Sequence, residues 1–373
     1  MANDAKKVLA AGKRKKRRVV KESKPDLLSS GSTLLNLACT NNPFGAFPKG
    51  RYVWFVGDST SGKTFLSLTC FAEAIRDINF RHYRLIYDDV EGGCMMDIPR
   101  LFGNKTASKI SPPAKDENGE PVFSSTIEEF YYHIDDAIKE ARKPNGHPFI
   151  YVLDSMDGLS SEAEQDKFEE QKDAYRRGRI TAGSYGDGKA KKNSSGVRVV
   201  KNGLRDTDSI LIIISQTREN LGMGFEKKSV SGGKALRFYA ALEIWTSLAG
   251  AIKKKVRGKD RKIGIHAKAV LKKNRVTGLL NDGAIIDIYP SYGIDDIGGC
   301  VDFLVSEGWW KKNKQSIMAT EFKVTCTREK LIAYIEENKL MRQLQRITGR
   351  CWKEIQQDTC LNRPKRYDDV DPG

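Results

Sequence analysis

Apolar runs recur along this chain with amphipathic or polar stretches between them. Residues 51–56 read as a buried strand, and residues 65–74 as a helix with one apolar face. Residues 83–88 form a second strand, 125–142 an acidic amphipathic helix, and 149–154 a third strand. Residues 209–214 are apolar enough for burial on both faces. Continuous apolar strands separated by helices predict a mostly parallel sheet covered on both sides. After residue 240 the texture changes. Residues 242–246, 263–270 and 284–288 are short and alternate with period two, which predicts an antiparallel extension of the sheet. From about residue 297 a small, mainly helical or α/β C-terminal domain is expected, ending near 362 before a polar tail over 363–373. The expected class is α/β, with the core over residues 31–296 and no internal repeat. Between the third and fourth strands lies a long polar stretch holding Gly178, Gly183, Gly186, Gly188 and Gly196 and no strand signal.

Between the first strand and the first helix stand Gly57, Asp58, Ser59, Thr60, Ser61, Gly62, Lys63 and Thr64. This fits G-x-x-x-x-G-K-[ST] in its required setting. Glycines at both ends let backbone N–H groups close around a phosphate, and the helix N-terminus adds partial positive charge. Lys63 is expected to reach the β- and γ-phosphates of a nucleotide and the Thr64 hydroxyl to bind Mg²⁺. Asp154 ends the third strand, where a carboxylate supports the metal. Glu91 follows the second strand. Ligands of parallel sheets gather at strand C-termini, so Glu91 is either a general base for the attacking water or a loop carboxylate capping the next segment. Gln216 ends the fourth strand, in reach of a γ-phosphate.

Composition adds a direction. The net charge of +16 is concentrated in two places. Residues 1–25 hold ten Lys and Arg against Asp4 and Glu22, a net of +8; residues 175–205 hold nine against Asp187, again +8. Such segments suit a polyanion, usually nucleic acid, or serve as a solubilising tail and a solvated loop. Residues 1–30 read as a disordered basic tail whose block at 12–18 fits an import address or a nucleic-acid patch. No apolar run approaches the roughly 18 residues of a membrane span, and no secretory signal opens the chain. The seven cysteines form no C-x-x-C pair, as expected of reduced thiols without a zinc site. The four histidines lie in different segments and suggest no metal or acid–base role. After Gln216, residues 219–233 are Gly-rich and mildly basic with Phe225, an arrangement for single-stranded DNA or, for Phe225, ordinary packing.

Taken in order, residues 49–51, the loop at 57–64, Asp89-Val90-Glu91, Leu153-Asp154-Ser155, residues 215–218, residues 231–240 and Lys273-Asn274-Arg275 resemble RecA-type recombinases. Residues 282–294 are similar to the family's last core strand and turn. The similarity runs from about residue 30 to 310, and its divergence resembles phage strand-exchange proteins. The resemblance implies an ATP- and Mg²⁺-dependent DNA-dependent ATPase that forms helical filaments on single-stranded DNA and exchanges strands with duplex DNA. Ring-forming helicase-type or regulatory ATPases, and a recombination mediator that coats single strands, are the alternatives. It implies Glu91 as the catalytic carboxylate, Gln216 as the coupling residue, and Lys273 and Arg275 acting on the neighbouring subunit's nucleotide. It implies DNA-binding loops near 159–190 and 217–233, with Arg176, Arg177, Arg179, Lys189, Lys191, Lys192, Arg218, Gly222, Phe225, Lys227 and Lys228 in contact with DNA. Single-strand-binding and loader proteins are implied partners, and the implied location is cytoplasmic, on DNA, in a phage-infected bacterial host. Four departures stand out. Ile98 occupies the position of the family's adenine-stacking aromatic, the first DNA loop is enlarged and more basic than usual, residues 1–30 hold no amphipathic docking helix, and the acidic tail is reduced to Asp368, Asp369 and Asp371. A shorter acidic tail predicts less self-inhibition of duplex binding.

Overall fold

The computed structural model describes residues 26–177, 188–219, 228–230, 234–279, 283–361 and 363. Seven main strands build one large sheet: β1 (Tyr52–Gly57), β2 (Arg84–Asp89), β3 (Phe149–Asp154), β4 (Ile210–Glu219), β5 (Leu242–Val256), β6 (Lys259–Asn274) and β7 (Ala284–Tyr289). Their spatial order is β7-β6-β5-β1-β4-β3-β2, with two-residue strands at Gly293–Ile294 and Ile110–Ser111 on the two edges. From β5 to β2 every neighbour is parallel, while β5/β6 and β6/β7 are antiparallel. The α/β class and the mostly parallel sheet with an antiparallel wing are as the hydrophobic pattern predicts. Two details differ. Residues 242–246 begin a strand that pairs parallel to β1, and the two expected short strands belong to a hairpin of strands 15 and 16 residues long.

The period of two explains how the sheet is buried. Along β4, Ile210, Ile212 and Ile214 enter one core while Leu211 and Ile213 enter a second on the other face. The same split holds in β1, where Val53 and Phe55 face one way and Tyr52, Trp54 and Val56 the other. Helices α1 (Thr33–Thr40) and α2 (Lys63–Arg76) cover the first core. Helices α3 (Ile127–Ala141) and α5 (Gly188–Asp206) cover the second, with α4 (Glu162–Arg176) between them in sequence. Helix α3 starts at a capping box formed by Thr126 and Glu129, and presents Ile127, Phe130, Tyr131, Ile134 and Ile138 to the sheet at helical spacing. Each fully buried aliphatic side chain contributes about 1.5–3 kcal/mol, so these two layers fix which strand ends become a site.

Short helix α6 (Lys234–Tyr239) precedes β5. After β7 come α7 (Asp296–Ser306), a three-stranded antiparallel sheet over residues 311–327, α8 (Arg328–Glu337) and α9 (Met341–Asp358). They enclose a third core around Trp310, Leu331 and Leu344. The Glu321 carboxylate accepts both Trp309 Nε1 and Trp310 Nε1, at 2.6 and 2.7 Å. At the start of the described residues, Leu27–Leu28 pair with Phe47–Pro48, and Leu28 and Ser30 of the expected tail are fully buried. Its remaining residues, 1–25, lie outside the described residues, as do 364–373 of the polar tail.

Candidate nucleotide site

The phosphate loop joins β1 to α2 at the C-terminal edge of the parallel strands. Two glycines make it possible. A Cβ on Gly57 would lie 2.2 Å from the Thr246 carbonyl, and Gly62 sits at φ 89° with its Cβ position 2.7 Å from Ile288 Cδ1. Neither position tolerates a side chain. Ser61 Oγ bonds Thr246 Oγ1 at 2.7 Å and donates to the Asp58 carbonyl, tying the loop to β5. The Lys63 ammonium curls into the loop and donates to the Gly57 and Asp58 carbonyls at 2.8 and 2.7 Å. Burial pushes its pKa down, while the carboxylates of Asp154, Asp58, Asp157 and Glu91 push back.

Asp154 stands where β3 ends, one strand over from β4. Its Oδ2 accepts the Thr64 hydroxyl at 2.6 Å and the Tyr87 hydroxyl at 3.1 Å. Burial raises its pKa, the two hydroxyls lower it, and Glu91 and Asp89 raise it again. A buried carboxylate whose direct donors are neutral hydroxyls is suited to a cation. Among the described residues no cluster of three or more His, Cys, Asp or Glu could hold a metal. Thr64 and Asp154 fit Mg²⁺ of the nucleotide-bound kind, which takes one or two protein oxygens and completes its shell with phosphate and water.

The loop after β2 divides its carboxylates between two tasks. Asp89 accepts the Gly93 and Cys94 N–H groups at 3.3 and 3.2 Å and closes the turn. Asp88 is buried under Ser124 and Tyr151. Glu91 instead extends across the cleft, where its Oε1 accepts Ser155 Oγ and the Gln216 side-chain amide, the latter at 3.1 Å. The turn after Glu91 is thus closed by Asp89, and the next helix is capped by Asp97. Gln216 N–H donates to Asp157 Oδ2 at 2.6 Å, and the Thr217 hydroxyl donates to Asp58 Oδ1 in the phosphate loop. Asp157 belongs to no motif, its only signal in sequence being proximity to Asp154, and Thr217, though inside the 215–218 motif, carries no expected role at the nucleotide.

Beside the loop lies a cleft of about 880 Å³ lined by Thr60 to Phe65, Met96, Asp97, Arg100, Leu101, Lys262 to Ile265, Ile288, Pro290 and Ser291. Ile98 does not line it. The short helix Ile98–Phe102, capped by Asp97, turns Arg100 toward the cleft instead, with Arg100 Nη2 donating to the Pro290 carbonyl at 3.2 Å.

Lys273 and Arg275 lie elsewhere. Asn274 pairs with Leu242 and Leu242 with Val53, whereas Thr246 pairs with Gly57. The two cations therefore flank the N-terminal edge of the parallel strands, about 13 Å along β1 from the loop glycine. Lys273 Nζ caps the end of α6 through the Arg237 and Phe238 carbonyls, and Arg275 packs 5.5 Å from the Phe238 ring centre. Neither reaches the phosphate loop of its own chain.

The expected DNA-contacting residues are dispersed. The stretch expected as a first loop is helical over Glu162–Arg176, where Ser161 and Glu164 form a capping box, and again from Gly188. Lys189 donates to the Leu159 carbonyl at 2.6 Å and Lys192 pairs with the buried Glu128 at 2.8 Å, so both are tied to the fold. Arg176 lies 3.7 Å from Asp173; Arg177 and Lys191 are exposed. Arg179 lies outside the described residues, as do Gly222, Phe225 and Lys227. Arg218 and Lys228 belong to paired strand ends, because β4 runs on to Glu219 and pairs antiparallel with Lys228–Val230.

A family model described as the RecA N-terminal domain matches residues 173–295. Protein RecA of Malacoplasma penetrans is 27% identical over 317 residues, covering 84% of this chain and 83% of that protein. Protein RecA of Ureaplasma parvum is 26% identical over 321 residues, covering 86% and 84%. Protein RecA of Clostridioides difficile is 26% identical over 325 residues, covering 84% and 79%.

Proposed function

Since the chain is a RecA-type protein, we propose that it is an ATP-dependent DNA recombinase that assembles with copies of itself on single-stranded DNA and pairs it with homologous duplex. The observation that carries this reading is the hydrogen-bonded path from the phosphate loop to the strand leading out of the cleft. It runs from Asp58 to Thr217 and from Glu91 to Gln216. A γ-phosphate entering between Lys63 and Glu91 competes for the Gln216 amide, and Gln216 precedes the segment expected to hold DNA. Occupancy of the nucleotide site and the position of that segment then form one equilibrium.

In this mechanism the loop N–H groups and Lys63 bind the phosphates, and Arg100 with Pro290 flanks the base. Thr64 and Asp154 would hold Mg²⁺, which neutralises charge on the phosphate oxygens when bound. Glu91 takes the proton of the attacking water, held in place by Ser155 and Gln216. Lys273 and Arg275 point away from their own nucleotide and serve the neighbour's, stabilising charge on the transferring phosphoryl group from outside. Duplex DNA, single-strand-binding proteins and loaders complete the proposed partners, and the proposed setting is cytoplasmic DNA, including that of a phage-infected bacterium.

The test is ATP hydrolysis with and without single-stranded DNA, paired with images of complexes formed with a non-hydrolysable ATP analogue. Hydrolysis is expected to rise with DNA, to vanish in Lys63→Ala, and to accompany helical filaments. Equal rates with and without DNA, or closed rings, would count for a regulatory or helicase-type ATPase instead.

A further inference from the structure

Strands β5 and β6 continue past the sheet as a free two-stranded ribbon. A register shift between Ile252 and Lys253 marks the change. Beyond it, all ten residues from 253 to 262 are exposed. They include Lys253, Lys254, Lys255, Arg257, Lys259, Arg261 and Lys262, against Asp260 alone. Arg257 and Gly258, at φ 51° and 76°, close the ribbon in the two-residue turn that matches strand twist.

The pairing of these charges is unfavourable for the isolated chain. Lys253 lies directly opposite Lys262 and Lys254 opposite Arg261, and only Lys255 meets an opposite charge, in Asp260. Like charges directly opposite destabilise a ladder, and among the described residues none of the seven cations has a carboxylate within ion-pair distance. Side chains alternate across a strand, so the two like-charged pairs occupy opposite faces of the ribbon. A ribbon that is basic on both faces is poorly matched to one flat acidic surface. It is matched to a cleft with anionic walls on both sides. Val256 is the one sizeable apolar side chain at the tip, which argues against insertion into lipid.

Extending the recombinase reading, on which this rests, we propose that the ribbon over residues 253–262 is a docking element for duplex DNA that enters the major groove. The dimensions agree. The groove is about 12 Å wide and 8.5 Å deep and admits a two-stranded ribbon. The four cross-strand pairs from Lys253/Lys262 to Val256/Lys259 project about 10 Å, which brings both faces beside the phosphates of the two groove walls. Phosphate contacts of this kind position a duplex without reading its sequence, which is what a protein that samples many duplexes for homology requires.

The experiment uses the full chain and a variant carrying Lys254→Gln, Lys255→Gln, Lys259→Gln and Arg261→Gln, none of which lines the nucleotide cleft. Binding of a labelled duplex longer than two helical turns is followed between about 50 and 200 mM salt, beside binding of a single strand and DNA-stimulated ATP hydrolysis. Duplex affinity is expected to fall about tenfold or more, and the logarithmic salt slope to become shallower by about 0.9 for each phosphate that the variant no longer neutralises. Single-strand affinity and the stimulated ATPase stay at wild-type levels. Unchanged duplex affinity and slope would overturn the assignment. Equal losses for single strand and duplex would overturn it too, as would lost self-association with duplex binding intact. A wild-type chain that binds no DNA and ignores it in hydrolysis would sink the recombinase reading itself. A wild type that binds DNA beside a variant that binds duplex equally well sinks only the ribbon.

Discussion

Both the nucleotide cleft and the outer end of the β5–β6 ribbon are crowded with charge, and they arrange it in opposite ways. In the cleft, Asp58, Glu91, Asp154 and Asp157 surround Lys63, and each carboxylate accepts a hydrogen bond from the chain itself. On the ribbon, Lys253 faces Lys262 and Lys254 faces Arg261 across the ladder, and Asp260, opposite Lys255, is the one carboxylate among seven cations. The cleft's charges are held by the fold and so have defined positions before any phosphate arrives. The ribbon's charges are offset internally by Asp260 alone, and the excess is available to an external anion. The cleft also carries more carboxylates than cations. On the proposed function, a triphosphate would enter with help from the N-terminus of α2 and a divalent ion held by Thr64 and Asp154.

The sharpest way to break this comparison is at Glu91. Glutamine there retains an acceptor for Ser155 and Gln216 but cannot take a proton. Glu91→Gln is expected to lower the rate of ATP hydrolysis by about 10²- to 10⁴-fold while nucleotide affinity and melting temperature stay near wild type. Rapid-quench hydrolysis and equilibrium binding of a fluorescent nucleotide separate the two. A variant that lost binding and rate together would mean that Glu91 only braces the loop.

How far each region is legible in the sequence follows from the same contrast. The cleft is encoded locally: residues 57–64 have a fixed spacing, and Asp154 and Glu91 follow apolar strands whose ends are easy to find. Glu91's partner Gln216 is visible for the same reason. Arg100 is not, because its entry into the cleft depends on how the short helix at Ile98–Phe102 is turned by the Asp97 cap. The ribbon is hidden for a different reason. Summed over the chain, its cations are cancelled by acidic residues elsewhere, and its outer strands lack the alternation that marks half-buried strands. Only pairing shows that Lys253 to Lys255 and Lys259 to Lys262 stand back to back. In the same way Lys189 and Lys192 belong to a basic stretch in sequence, yet the fold engages them with Leu159 and Glu128.

Lys273 sits between the two regimes and gives an effect of intermediate size. Partial burial and the neighbouring Arg275 bring its pKa down to about 8 from the ordinary lysine value, against the opposing pull of Glu243. The cation exists below about pH 8 and is lost as pH rises through it. If Lys273 serves the neighbour's nucleotide, DNA-stimulated hydrolysis falls across that window, and Lys273→Arg, which stays charged, flattens the fall. Stability moves the other way. The unfolded chain holds this proton up to its higher pKa, so between about pH 8 and 10 the contribution of Lys273 to folding becomes more favourable as pH rises. A pH–rate profile and melting curves on the same samples distinguish the two directions. An alkaline limb unchanged in Lys273→Arg would assign it to another group.

The smallest effect tests the ribbon without any ligand. If Lys254 and Arg261 oppose each other at a net cost, reversing one of them should stabilise the isolated protein. Lys254→Glu converts the like pair into an opposite pair, and cross-strand pairs of this kind change stability by about 0.2–1 kcal/mol. Both side chains are exposed and their interaction is screened by salt, so the gain should be present at low ionic strength and fade by about 1 M, where the Debye length is only about 3 Å. Denaturant unfolding at the two salt concentrations measures it. The same substitution weakens duplex binding if the ribbon docks DNA, so stability and function change in opposite directions at one residue. A gain that ignored salt would point to altered strand propensity. No gain at low salt would mean that the paired cations already diverge enough to carry no cost, and the case for a stored charge awaiting an anion would lose its energetic half.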